Sequence, residues 1–298
     1  MRMVMGLLCV FSMLVVCATV KAQSAGTSSK PVSTSDAAHQ SPAAGSGGQT
    51  QGGASAEELA KKLANPIASL ISVPLQFNYN RGFGPDGAGS QTYLNVQPVI
   101  PISLNDDWNL ISRTIIPITY QHDVFSPDSG SQFGLGDITQ SLFFSPVKPT
   151  KNGWIWGVGP VFLFPTATDD MLGGKKWGAG PTAVVLKQEG PWTYGCLANH
   201  IWSFAGEESR ADVNQTFLQP FLSYTTKTAW TFNLSTETAY NWEDSEWSVP
   251  INFNISKVLK FGNQLVQIGA GPRYWVQSSP YGPEGWGARA TVTFLFPK

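Results

Sequence analysis

The chain has 298 residues, 19 Lys plus Arg against 20 Asp plus Glu, a formal net charge of -1 and only 13% charged residues. That balance excludes a basic nucleic-acid surface and an acidic interaction tail. Aromatics make up 12%, with 11 Trp and 30 Gly, at a mean hydropathy near zero. This is too polar for a bundle of membrane helices and too aromatic for an average soluble domain, and it suits strands with one face to lipid and one to water.

The chain opens MRMVMGLLCVFSMLVVCATVKA, with Arg2, an apolar run from Val4 to Val16, and Val20 and Ala22 at the small-residue positions. Residues 1-22 therefore read as a secretory signal peptide cut after Ala22. A lipoprotein signal ending at Cys17 fits worse, because Val16 stands where a small residue is expected, and the run is too short for a membrane anchor. Cleavage removes Cys9 and Cys17 and leaves Cys196 alone, so neither an intramolecular disulfide nor a cysteine metal site is expected. No other stretch approaches about 18 apolar residues, so any further membrane crossing must use strands.

Residues 23-54 are Ser, Gly, Ala and Gln-rich with almost no large apolar side chains. They read as a disordered periplasmic leader, since they cannot bury enough surface to offset ordering entropy. Ser55-Ala-Glu-Glu58 has the capping-box form and is followed by LAKKLA and the break at Asn65-Pro66, so residues 55-69 read as one short helix and a linker. Such an amphipathic segment, entering the first strand of a barrel, has only the lumen or the rim to pack on. It is expected to plug the periplasmic mouth.

From about Leu70 the apolar period changes from 3.6 to 2 and stays there. Trp230, Phe232, Leu234, Thr236, Thr238, Tyr240 and Trp242 fall on one face, with Thr231, Asn233, Ser235, Glu237 and Asn241 on the other. Aromatics at both ends of an apolar face are what two membrane interfaces select. Counting such segments predicts about twelve strands, near 71-80, 91-103, 108-121, 137-145, 154-165, 178-187, 192-204, 214-226, 228-242, 247-259, 264-277 and 286-296. Residues 70-298 thus read as an all-β, transmembrane, antiparallel up-and-down β-barrel preceded by a short N-terminal helix. The connections alternate between short (NDD, EGP, FGN) and longer, Gly, Asp and Ser-rich (RGFGPDGAGS, HDVFSPDSGSQFGLG, ATDDMLGGKKWG), as bacterial barrels require. Prolines inside strands, at Pro98, Pro160, Pro181, Pro220, Pro250 and Pro272, each remove a ladder donor. The repeated Gly-Pro settings GVGPV, GAGPT and GAGPR predict a bulge or bend.

The blocks LANPIASLISVPLQFNYN, WNLISRTIIPI, GLGDITQSLFFSP, GPVFLFPTATDD, GKKWGAGPTAVVL and TVTFLFPK occur in order. Together they resemble the bacterial outer-membrane barrel family named after the meta pathway of phenol degradation, over roughly residues 57-298. The resemblance implies an outer-membrane transporter of small, apolar or aromatic compounds and supplies no catalytic or ligand residues. The terminal Phe296-Pro297-Lys298 departs from the aromatic ending usual in barrels.

Among the candidate sites, a charge facing lipid near mid-bilayer costs about 2 to 4 kcal/mol for Arg or Lys, so Arg113, Glu237, Arg273 and Arg289 are expected to face the lumen. They read either as interior salt bridges or as a selective constriction. His39 falls in the leader, His122 in a loop beside Asp123, and His200 on an outward face with Trp192, Tyr194, Trp202 and Phe204, so no catalytic constellation, metal site or cofactor is expected. Asp106-Asp107, Asp169-Asp170 and Glu243-Asp244 read as turn formers and Cys196 as inert among aromatics.

The function expected is a passive channel for small solutes in the bacterial outer membrane, with the leader in the periplasm. A closed barrel with a structural or envelope-maintenance role is the alternative, and a lipid hydrolase a weaker one. Expected partners are outer-membrane lipid, the assembly machinery and a small-molecule solute, with no nucleic acid.

Overall fold

The computed structural model describes residues 55-126 and 129-297. The expected signal peptide and leader lie outside the described residues. Ser55 caps helix α1 (Ala56–Leu63) reciprocally: its Oγ accepts from the Glu58 amide and the Glu58 carboxylate accepts from the Ser55 amide. Glu57 and Glu58 in the first turn and Lys61 and Lys62 in the last complement the helix dipole. The helix ends before Asn65-Pro66, where proline disfavours helical geometry at the residue before it. Asn65 Oδ1 instead accepts from the Ile67 amide at 2.9 Å.

The period-2 region forms one antiparallel sheet. Its first half comprises β1 (Ile71–Phe83), β2 (Gly89–Val96), β3 (Val99–Ser103), β4 (Trp108–His122), β5 (Ser131–Leu135), β6 (Ile138–Pro146), β7 (Trp154–Phe164) and β8 (Lys176–Glu189). Its second half comprises β9 (Trp192–Gly206), β10 (Asn214–Thr225), β11 (Trp230–Thr236), β12 (Thr238–Asn241), β13 (Glu246–Phe261), β14 (Gln264–Gln277) and β15 (Gly285–Phe296). β1 runs against β15 from Ile71 opposite Phe296 to Tyr79 opposite Ala288, and this seam closes the barrel. The 15 segments make 12 staves, because β2 with β3, β5 with β6 and β11 with β12 are each one stave interrupted once.

Each interruption has a local cause. Between β2 and β3 stands Pro98, which has no amide hydrogen to give the ladder. Between β5 and β6 the pairing with β4 slips by one residue, from Ile118 opposite Leu135 to Ile115 opposite Thr139, and Gly136 packs against the Pro117 ring. Between β11 and β12, the flanking pairs Thr236 with Ile251 and Ala239 with Ser248 place Glu237 opposite Pro250, which offers no donor.

Of the bulge or bend expected at the Gly-Pro steps, the bulge is not formed. On either side of Gly180-Pro181 the register of β8 with β9 is unchanged, Ala179 opposite Trp202 and Thr182 opposite Asn199, while the pairs between them are lost. The same gap occurs at Gly159-Pro160 against β6 and at Gly271-Pro272 against β13. Each step therefore opens one ladder while the other stays intact: Pro160 and Pro181, both without donors, face each other across β7 and β8.

One rim carries the short connections 104-107, 147-153, 190-191, 226-229 and 262-263. The other carries 84-88, 123-130, 165-175, 207-213, 242-245 and 278-284. The fourth stave begins at Ser131 rather than near 137, so five residues expected in a long loop are strand.

Candidate functional site

Outward residues form an apolar band with Phe77, Phe232, Leu234, Phe253, Ile255 and Ile268 exposed. A belt of this extent has lipid as its solvent. It is edged by two aromatic girdles. At the short-turn rim Trp108 packs on Trp156 at 5.8 Å, Trp154 on Tyr194 at 6.2 Å and Trp192 on Tyr224 at 4.8 Å. At the long-loop rim Phe164 packs on Trp177 at 5.7 Å, Tyr240 on Trp247 at 4.7 Å and Tyr274 on Trp286 at 4.9 Å. Lys257 reaches over Trp230, 4.9 Å from the ring centroid, with its stem along the apolar band and its ammonium at the edge.

Inside, the short-turn half is filled by the segment before β1. Leu59 packs with Ala68, Leu70 and Leu295, and Ala60 with Ala229 and Val258. Ile67 reaches furthest in, into a cluster of Ile111, Phe143, Val184, Leu186, Leu197 and Phe221, which line the lumen face of β4, β6, β8, β9 and β10. Gln188 Nε2 donates to the Lys61 carbonyl at 2.8 Å and Asn109 Nδ2 to Ser69 Oγ at 3.2 Å. Residues 56-70 thus sit as a plug, held by apolar contacts and a few polar ties.

Deeper in the lumen, the staves carrying β1, β2, β14 and β15 are joined across the bore to Glu237. Arg289 donates from Nη1 and Nη2 to the two Glu237 carboxylate oxygens, at 2.8 and 2.6 Å, and from Nε to Asn78 Oδ1 at 2.7 Å. This is the bidentate fork that suits a guanidinium best. Arg273 lies 3.7 Å from the same carboxylate, donates to Tyr93 Oη at 2.7 Å and to Asn78 Oδ1 at 3.3 Å, and stacks on Trp275. Trp275 Nε1 in turn donates to Asn80 Oδ1 at 3.0 Å. The side chains of Arg273 and Arg289 are only 3% and 6% exposed, so this network is shielded from solvent.

Arg113 joins it only indirectly, through Gln97, whose Nε2 donates to Gln76 Oε1 at 3.3 Å, an oxygen that also accepts from Asn78 Nδ2 at 3.4 Å. Arg113 Nη2 donates to Gln97 Oε1 at 3.2 Å, and among the described residues Arg113 has no carboxylate within 4.0 Å. It faces a cavity of about 170 Å³ between plug and wall, with Lys62, Asn65, Ser72, Gln97 and Thr293. A second cavity of about 250 Å³, lined by Gln215, Asn241, Glu246 and Ser248, lies toward the long-loop rim. Of the four charges expected in the lumen, three are in direct contact and the fourth, Arg113, is linked to them through Gln97 and Gln76. Asn78, Asn80, Tyr93 and Gln97 complete the network, and the signal that could have found them is the period-2 run Gln76, Asn78, Asn80 on the lumen face of β1.

The histidines lie elsewhere. His200 faces outward, its Nδ1 2.7 Å from Thr216 Oγ1 and its ring 4.0 Å from Trp202. His122 is at the end of β4 rather than in a loop, its Nδ1 3.0 Å from Ser131 Oγ and its Nε2 3.1 Å from Asp123. Asp123 also accepts from the Gly130 amide at 2.9 Å, so the trio closes the loop between β4 and β5. Cys196 stands opposite Val185 on β8 and Pro220 on β10. Among the described residues no cluster of three or more His, Cys, Asp or Glu could hold a metal ion.

At the long-loop rim, Lys175 bridges Asp170 at 2.8 Å and Glu207 at 3.1 Å, and Arg210 donates to the carbonyls of Asp170 and Gly173. Lys175 holds the Asp170 carboxyl below its usual range, while the Ser209 hydroxyl and then Lys175 do the same for Glu207. A carboxylate depressed in the folded state stabilises above its unfolded pKa and loses that effect as pH falls through the folded value. Protease nicking of 165-175 and 207-213 is therefore expected to stay low at neutral pH and rise below about pH 4, the ordinary carboxylate range. Nicking that rises already between pH 7 and 5 would contradict this.

No family model and no curated protein matches the chain. Among solved structures, an outer-membrane channel from Pseudomonas putida F1 is similar with a TM-score of 0.61 at 14% identity, covering 76% of this chain and 96% of that one. A KdgM porin in complex with disordered oligogalacturonate matches with a TM-score of 0.43 at 10% identity, over 76% and 100%. The outer-membrane phospholipase A from Escherichia coli matches with a TM-score of 0.48 at 10% identity, over 82% and 99%. With its closed seam, apolar belt and paired girdles, the chain has the fold of a twelve-stranded outer-membrane β-barrel.

Proposed function

We propose that the protein is an outer-membrane channel for small solutes, set in the membrane with residues 23-69 on the periplasmic side, and a member of the barrel family named after the meta pathway of phenol degradation. The observation that carries the reading is how the bore is blocked. On the short-turn side the obstruction is residues 56-70, a separate segment held by a small apolar face and a few hydrogen bonds, not the barrel's own wall. The charges Arg113, Glu237, Arg273 and Arg289 then line the route, with the apolar cluster around Phe143 beside Arg113 on β4 and β6. Lumen charges of this kind select solutes by sign and size.

A closed barrel with a structural role is the second reading, favoured by the buried Arg273 and Arg289 network across the bore. Planar-bilayer conductance separates the two. The full mature chain is expected to conduct little, and the form lacking residues 23-68 to give steady openings several-fold larger, since β1 and its seam with β15 remain. A folded, deleted barrel that stays silent would point to the closed one.

A further inference from the structure

We infer that the cavity between plug and wall is a binding site for a small organic carboxylate. The inference goes beyond the channel reading, because it concerns occupancy of this cavity and not passage through the barrel.

The starting point is a half-buried guanidinium with no carboxylate in contact. A cation withdrawn from water is ordinarily paired or hydrogen-bonded. Glu237 is already engaged by the fork of Arg289 and by Arg273, which leaves Arg113 with one side-chain partner, the neutral Gln97. Arg113 lines the cavity, and so does a second cation, the exposed Lys62. Among the described residues neither cation has a carboxylate partner within 4.0 Å.

The remaining walls specify the rest of the ligand. Asn65, Ser72, Gln97 and Thr293 offer neutral hydrogen-bonding groups, while Leu63, Pro66, Leu70, Pro74 and Val99 make an apolar floor. Two cations beside an apolar floor suit one carboxylate on a hydrocarbon body. Phosphate or sulfate would leave the floor unmatched. The volume, about 170 Å³, is below the roughly 300 to 1,000 Å³ typical of sites for drug-sized molecules, which limits the ligand to a single ring or a short chain.

The test is calorimetric titration of the full-length refolded barrel with benzoate as probe, alongside its neutral analogue benzamide and inorganic phosphate. Benzoate is expected to bind at least ten-fold more tightly than benzamide or phosphate. Arg113→Gln is expected to weaken benzoate at least ten-fold, and Lys62→Glu, at an exposed position, several-fold. Benzamide binding as well as benzoate, phosphate binding in its place, or a folded Lys62→Glu barrel that binds benzoate as wild type does would each overturn the inference. Because the heat of binding reports occupancy, a barrel that conducts nothing passes or fails this test all the same.

Discussion

Replacement of Glu237 by alanine is expected to cost about 4 kcal/mol of folding stability, the upper part of the range for removing one partner from a buried ion pair. Two guanidinium groups depend on this carboxylate: Arg289 through a two-point fork at 2.8 and 2.6 Å and Arg273 at 3.7 Å. Both are almost fully buried, so without Glu237 they face each other with only Asn78 and Tyr93 to share. The stability should return in large part when Arg289→Met and Arg273→Met both accompany Glu237→Leu, because a buried ion network replaced as a whole by apolar side chains of similar volume is often neutral. Thermal unfolding in detergent, followed by the gel shift between folded and heat-denatured barrel, reads both. Equal midpoints for wild type and Glu237→Ala would show that the network contributes nothing net.

A loss of similar size is expected at Gly180. A Cβ placed there would fall onto the carbonyl oxygen of His200 on the neighbouring strand, and one at Gly271 would fall onto that of Phe253. The obstacle is backbone, which cannot swing aside as a side chain can, so Gly180→Ala must push β8 away from β9. Overpacking of this kind costs about 1 to 3 kcal/mol, and the rigid neighbour puts Gly180→Ala at the upper end. At Gly190, where a Cβ would meet nothing within 4 Å but φ is +55, alanine should cost only about 1 kcal/mol of backbone strain. The comparison isolates close approach from conformation: equal losses at Gly180 and Gly190 would remove the packing explanation.

The strand count and the two faces were legible because the side-chain period of a strand is 2 and the two faces of these staves meet different solvents. From Trp230 to Trp242 every even residue belongs outside and every odd one inside, and the ladders agree. The start of the fourth stave was not legible, since Gly134 and Gly136 flatten the alternation and the one-residue slip against β4 shifts its phase. The inward charges could be named, because lipid penalises them, but not their partners. Arg289 and Glu237 are 52 residues apart and meet across the bore, a closure that only the tilt and curvature of the whole sheet determine. For the same reason nothing in the sequence singled out Arg113 as the one without a carboxylate in contact. The Gly-Pro steps were visible, yet their effect, a gap in one ladder with register kept, depends on which neighbour approaches.

The seam between β1 and β15 also bears on assembly. The plug leads directly into β1, and its Leu59 and Leu70 rest on Leu295, near the end of β15. The ladder that joins the two ends of the sheet and the contact that seats the plug thus share one residue and one region of the wall. Closing the cylinder and seating its stopper therefore depend on one another, and a change that loosens Leu295 should loosen both at once.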